Sequence, residues 1–233
     1  MIKLHHSPGT ASMIPHIVLE ELGVPFGRVL VDRENQAHRG ADYLQLNPNG
    51  LIPTLIESAA GQGDLVLYET AAICLHLSDT NPRARLAPPL GSPERAHFYK
   101  WLMWLTNTLQ ASLILYFYPE RYVAAGNTAA AAEVKAQAQT RIGGYLEQLD
   151  NELERVKLRS KASDDVAGLS DWFMGAQYTV LDAYVFTLCR WTRNFSSHPA
   201  RSYPNLGPYL QRMLARPTVQ RVLANEGITA PLV

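Results

Sequence analysis

Apolar positions follow two rhythms along this chain, and the change comes near residue 80. Before that point, short apolar runs alternate with turn residues. Ile2–His6 has the pattern of a strand, and Ser7-Pro8-Gly9-Thr10 is turn chemistry. A helix follows with Ser12 as N-cap and Pro15 tolerated in its first turn. Its stripe of Ile14, Ile17, Val18 and Leu22 ends at Gly23-Val24-Pro25. Residues 26–31 read as a strand and Ala41–Leu46 as a short helix stopped by Asn47-Pro48-Asn49-Gly50. Thr54–Glu57 and Leu65–Tyr68 read as a hairpin around Ala59-Ala60-Gly61-Gln62-Gly63, and 69–79 as a closing helix. Strand, helix, strand, helix, strand, strand, helix is the order of a small α/β sandwich.

Asn81-Pro82 and Pro88-Pro89-Leu90-Gly91-Ser92-Pro93 crowd helix breakers into one stretch, so residues 1–80 form one domain, 81–93 a linker and 94–233 a second domain. Beyond the linker the helical period dominates, predicting helices over 94–117, 129–157, 182–195 and 205–224, the last interrupted by Pro217. Charged and small residues over 159–169 predict an exposed loop.

With 233 residues, 47% of them hydrophobic, the chain can bury a full core. No apolar run approaches the roughly 18 residues of a membrane helix, and no basic stretch with an apolar core opens the sequence, so the expectation is a cytoplasmic protein with no membrane partner. Formal net charge is zero, which speaks against nucleic acid as a partner. The balance is uneven, however. Residues 1–80 hold four basic and nine acidic side chains, a net of −5, leaving +5 beyond. Opposite bias of this kind fits either solvated faces or packing of one half against the other. Cys74 and Cys189 fall in apolar helical patterns and read as buried hydrophobes rather than as a disulfide, metal site or nucleophile.

Candidate chemistry gathers in the first domain. A residue before proline, here Ile52 before Pro53, is pushed towards extended geometry. Glu69 and Thr70 open a helix, where free amides and the dipole favour an anion. Thr10 and Ser12 lie at the turn into the first helix, where a hydroxyl and a backbone amide can donate to sulfur and hold a thiolate; Ser12 serves equally as a simple N-cap. His5 and His6 point to opposite sides of their strand. In the second domain, Trp101, Trp104, Tyr116, Phe117, Tyr118 and Tyr122 make an aromatic helix, the material of a core or of an apolar pocket wall. Thr179-Val180-Leu181-Asp182 is a capping box with a folding role.

Ile52-Pro53 and Glu69-Thr70 in an α/β domain, joined by a short linker to an all-helical one, resemble the glutathione transferases over almost the whole chain. Ser7-Pro8-Gly9-Thr10-Ala11-Ser12-Met13-Ile14-Pro15-His16-Ile17 and Gly175-Ala176-Gln177-Tyr178-Thr179-Val180-Leu181-Asp182-Ala183-Tyr184 look most like the bacterial beta class. The resemblance implies a thioredoxin-like N-terminal domain followed by an all-α domain, glutathione as cosubstrate with no metal, a detoxifying transferase activity and a homodimer. It implies a cis bond before Pro53, with the Ile52 backbone pairing with the cysteinyl unit of glutathione. Glu69 and Thr70 would meet the γ-glutamyl end. Ala11, Asn107 and Gln110 would lie near the sulfur, and Trp104, Tyr116 and Tyr118 would form the pocket for an apolar electrophile.

The chain departs from that class where the thiol is activated. Ala11 stands at the position of the class cysteine and His6 at that of its tyrosine, which excludes a mixed disulfide at position 11 and leaves Ser12 and Thr10 as candidate catalytic hydroxyls. Gln110 replaces a histidine and cannot act as a base at neutral pH. The implied reaction is conjugation of the glutathione thiolate to an apolar electrophile. A glutathione-binding interaction protein with weak catalysis and a glutathione-dependent dehalogenase or etherase stay open as alternatives. The double-serine, cysteine and arginine signature of the maleylacetoacetate isomerases is absent from the first turn.

Overall fold

The computed structural model describes residues 1–59, 61, 63–162 and 171–233. It divides into two compact units: Met1–Ala87 with Leu214–Ala230, and Pro88–Met213 with Pro231–Val233.

The first unit is a thioredoxin-like sheet with helices. Strands β1 (Ile2–His6), β2 (Phe26–Leu30), β3 (Thr54–Glu57) and β4 (Leu65–Tyr68) lie in the order β2-β1-β3-β4. β1 runs parallel to β2 and antiparallel to β3, and β3 pairs antiparallel with β4. A parallel neighbour demands a crossover, which α1 (Met13–Leu22) supplies between β1 and β2. α1 stops at Gly23, whose φ of 65° is the left-handed cap that glycine adopts without penalty. α2 (Ala41–Leu46) leads into β3, and α3 (Thr70–Thr80) follows β4 and packs on α1. Leu4, Leu55, Met13, Ile14, Ile17, Ile73 and Cys74 are the sealed centre of this unit. The hairpin and α2 have the bounds read from the sequence; of the five residues expected at the hairpin tip, 60 and 62 lie outside the described residues.

The C-terminal helix departs from the expected division. α9 (Pro217–Asn225) belongs to the first unit and packs along α1. Charge explains the attachment. Arg216 forks onto Glu21 at 2.9 and 2.6 Å, the Thr218 hydroxyl donates to the same carboxylate, Arg221 pairs with Glu20 at 2.9 Å, and Arg28 donates to the Asn225 carbonyl. The acidic surplus of the first 80 residues is thus partly met by arginines from the other end of the chain.

The second unit is all helical: α4 (Pro93–Trp104), a π-helical stretch Leu105–Gln110, α5 (Ala111–Phe117), α6 (Thr128–Ala162), α7 (Val180–Trp191) and α8 (Leu206–Ala215). α7 is buried from Val180 to Arg190, the signature of a helix surrounded by others. It opens with the foreseen capping box: Leu181 N–H donates to Thr179 Oγ1 and Thr179 N–H to Asp182 Oδ2. Asp182 is fully buried and also accepts the Phe173 amide and the Tyr209 hydroxyl, each at 2.8 Å. Of the loop expected over 159–169, residues 159–162 continue α6 and 163–169 lie outside the described residues.

Candidate functional site

Strand register gathers three segments of the first unit. Thr54 sits opposite Tyr68, so Ile52-Pro53 and Glu69-Thr70 continue the β3 and β4 strands past the same end of the pair. His5 sits opposite Thr54, so the turn after His6 leaves the sheet at that end too. Residues 7–12, 52–53 and 69–70, distant in sequence, meet at one edge.

The first segment is a web of short bonds around the Ser7 carbonyl, which takes the Thr10 hydroxyl at 2.7 Å and the Ser12 hydroxyl at 3.0 Å. Ser12 Oγ also accepts the Ser7 amide and lies 3.0 Å from Thr10 Oγ1. Ser12 occupies the N-cap position of α1 but its side chain caps nothing; it is 0% exposed and braces the turn. Thr10 keeps partial exposure, and the Ala11 amide makes no hydrogen bond among the described residues. Between the two hydroxyl candidates, therefore, Thr10 is the one that reaches the surface.

Behind this turn lies a buried network. Glu226, just past α9, accepts the Gly9 amide with Oε2 at 2.8 Å and bonds His16 Nδ1 with Oε1 at 2.7 Å, both side chains sealed from solvent. His6 faces the same interior, its ring 6.1 Å from that of His16. Burial lowers the His6 pKa, Glu226 opposing and Arg28, His16 and His5 reinforcing the shift, which favours the neutral ring. Its Nδ1 finds no partner among the described residues.

In the second segment the Ile52–Pro53 bond is cis. The Ile52 amide and carbonyl make no hydrogen bond among the described residues. In the third, Glu69 has φ of 70°, a conformation that costs a non-glycine residue about 1–3 kcal/mol and that clusters at ligand sites. Its exposed carboxylate caps nothing, although its carbonyl accepts the first helical bond from Ile73. The first amides of α3 and a solvent-facing carboxylate thus stand side by side, with Thr70 buried behind them.

In the helical unit, Asn107 and Gln110 both lie in the π-helical stretch, a distortion common where helices carry function. Asn107 is exposed and Gln110 half-buried. Each of the three expected pocket aromatics has its own ring partners. Trp104 stacks edge-on to Trp101 and Tyr145, whereas Tyr116 packs on Phe117 and Phe195, and the Arg121 guanidinium lies 3.9 Å above the Tyr118 ring. A surface groove of about 330 Å³ on this unit is lined by Gln139, Thr140, Phe195, His198 and Tyr203 among others, and by none of the three. Among the described residues no cluster of three or more His, Cys, Asp or Glu could hold a metal ion, and no helix is long and apolar enough to cross a membrane.

Sequence reading missed Glu226 and His16. A lone histidine on an apolar helix face was the available signal, but its partner lies 210 residues away. Tyr43 and Asn47, which hold the residue before Ile52, carry no sequence signal beyond a short helix and its Asn47-Pro48 stop.

Residues 11–80 match the glutathione S-transferase N-terminal domain family and residues 106–217 the glutathione S-transferase C-terminal domain family. Glutathione S-transferase GST-4.5 of Xanthomonas campestris pv. campestris is 30% identical over 229 residues, covering 97% of this chain and all of that one. The solved beta-class glutathione S-transferase of Sphingomonas chungbukensis is 31% identical, with a TM-score of 0.75 over 97% of this chain and all of its own. A sphingomonad glutathione S-transferase solved in complex with glutathione is 30% identical, with a TM-score of 0.73 and the same coverage.

Proposed function

The chain belongs to the glutathione S-transferase superfamily, and from that premise we propose that it binds glutathione at the sheet edge described above and conjugates its thiolate to an apolar electrophile. The observation that carries this reading is the convergence of residues 7–12, 52–53 and 69–70. Each segment offers what one part of the tripeptide needs. The Ile52 amide and carbonyl pair with the cysteinyl backbone beside Pro53. The Glu69 carboxylate meets the γ-glutamyl ammonium, and the amides at the start of α3, with the Thr70 hydroxyl, meet its carboxylate.

Thr10 and the Ala11 amide then donate to sulfur. Thr10 turns its proton from the Ser7 carbonyl to the thiolate, while the Ser12 hydroxyl stays on that carbonyl and supports catalysis by bracing the turn. Two preorganised donors lower the thiol pKa and keep the anion reactive, and binding both substrates together supplies proximity. With alanine at position 11 and a neutral His6, no cysteine or imidazolium takes part at this edge. Asn107 and Gln110 have a hydrogen-bonding role, since an amide takes up no proton at neutral pH. Trp104, Tyr116 and Tyr118 remain the proposed apolar contacts for the electrophile, and the working form is a cytoplasmic homodimer.

The test is retention on immobilised glutathione followed by conjugation of a chlorodinitrobenzene-type substrate. Both together support the transferase; retention without turnover across a panel of electrophiles turns the reading into that of a binding protein, and no retention overturns it. A monomeric mass by light scattering at micromolar concentration would remove the dimer.

A further inference from the structure

The carbonyl of Leu51 is held by two buried side chains. Tyr43, from α2, donates its hydroxyl to Leu51 O at 2.8 Å, and Asn47, just after α2, donates Nδ2 to the same oxygen at 2.8 Å. Both side chains are nearly sealed, at 6% and 2% exposure. The directions of these bonds are fixed. A carbonyl can only accept, so the single Tyr43 proton goes to Leu51, and the 3.0 Å contact between Tyr43 Oη and Thr54 Oγ1 is a donation from threonine. Burial raises the Tyr43 pKa, which keeps that proton in place. Asn47 is oriented in turn by the Asn49 amide, which donates to its Oδ1 at 3.1 Å. Gly50 completes the turn with φ of 58°, and a Cβ there would come within 2.8 Å of the His38 carbonyl.

Leu51 C=O and Ile52 N–H belong to one rigid peptide plane and point in opposite directions. Two donors converging on the oxygen therefore fix where the Ile52 N–H points. They also polarise the amide, making it a stronger donor. That N–H makes no hydrogen bond among the described residues. We infer that Tyr43 and Asn47 are positioning residues that aim the Ile52 amide at the cysteinyl carbonyl of the bound tripeptide. The inference rests on the glutathione-binding reading above. It adds a way to set affinity for the peptide backbone separately from the chemistry at sulfur.

The experiment uses the full-length chain with Tyr43→Phe, which deletes one hydroxyl, and Asn47→Ala. Calorimetric Kd for glutathione rises about fivefold to tenfold in each variant, the value of one hydrogen bond, and KM for glutathione follows it, while kcat at saturating glutathione stays within about twofold. In the ligand-free protein, the Ile52 amide resonance shifts in Tyr43→Phe, a readout that does not depend on catalysis. A second probe is a glutathione analogue whose cysteinyl carbonyl is reduced to a methylene. It binds the parent protein more weakly than glutathione does, and Tyr43→Phe adds no further loss. Additive losses, or an unchanged Kd for glutathione in a folded Tyr43→Phe variant, overturn the inference. Should Asn47→Ala fail to fold, Tyr43→Phe alone decides. A parent protein that binds no glutathione instead removes the functional reading itself.

Discussion

Glu226 accepts the backbone amide of Gly9 across 217 residues of sequence, and its second oxygen bonds the ring of His16. One carboxylate thus joins the turn that carries Thr10 to the helix that follows it. Glu226→Ala removes the carboxylate bonded to the half-buried Gly9 amide and to the buried His16 ring. The expected cost is about 3 kcal/mol in the stability of the first unit, with faster hydrogen exchange at residues 7–10. Denaturant titration and exchange mass spectrometry measure both, and a loss below about 1 kcal/mol would mean that solvent replaces the carboxylate.

Glu69→Gly separates stability from binding. The left-handed backbone at position 69 strains glutamate but not glycine, and relief of that strain outweighs the extra freedom of glycine in the unfolded chain. Stability rises by about 1 kcal/mol, while retention on immobilised glutathione is lost with the carboxylate. Thermal scans and column binding on the same preparation check the two halves.

Thr10→Val keeps the shape of the side chain and removes its proton. Conjugation falls about 100-fold and the pKa of bound glutathione rises, which the pH dependence of kcat reports. Ser12→Ala acts differently because Ser12 is a brace: about 1–2 kcal/mol of stability is lost and the rate falls by a smaller factor than in Thr10→Val. Equal rates for Thr10→Val and the parent protein would move the thiolate donor elsewhere.

Asp182 gives the helical unit a pH signature. Burial raises its pKa to about 6, against the pull of the Phe173 and Thr179 amides and the Tyr209 and Thr179 hydroxyls. An acid with its folded pKa above the unfolded value of 3.8 binds protons more tightly when folded, so its contribution to stability is complete below that value and is lost as pH rises through about 6. The difference in unfolding free energy between the parent protein and Asp182→Asn should therefore change by about 2 kcal/mol between pH 4 and pH 7, in the direction that favours the parent at low pH. A flat difference would show that the four donors fully offset burial.

Local structure was legible wherever one rhythm or one turn decides it. Thr54–Glu57, Leu65–Tyr68 and Ala41–Leu46 follow from apolar alternation bounded by glycine and asparagine, and the Thr179–Asp182 box from four adjacent residues. The π-helical stretch Leu105–Gln110 was not legible, because a widened turn changes hydrogen bonding without changing the apolar period. Placing α9 required the pairing of Arg216 with Glu21, which no periodicity encodes. Among the proposed glutathione contacts, Ile52, Glu69 and Thr70 follow from the resemblance and from their positions before Pro53 and at a helix start. The difference between Ser12 and Thr10 depended on burial, which separates two hydroxyls only two residues apart.

The attachment of α9 to the first unit also sets an order of assembly. During synthesis β1 to α3 emerge first, yet the helix that clasps them and the carboxylate that holds Gly9 arrive only after the whole helical unit has been made. At ordinary elongation rates that delay is on the order of ten seconds. For that interval the nascent sheet has neither its arginine partners nor its anchor at residue 226, and the turn bearing Thr10 takes its final form only after that anchor has emerged.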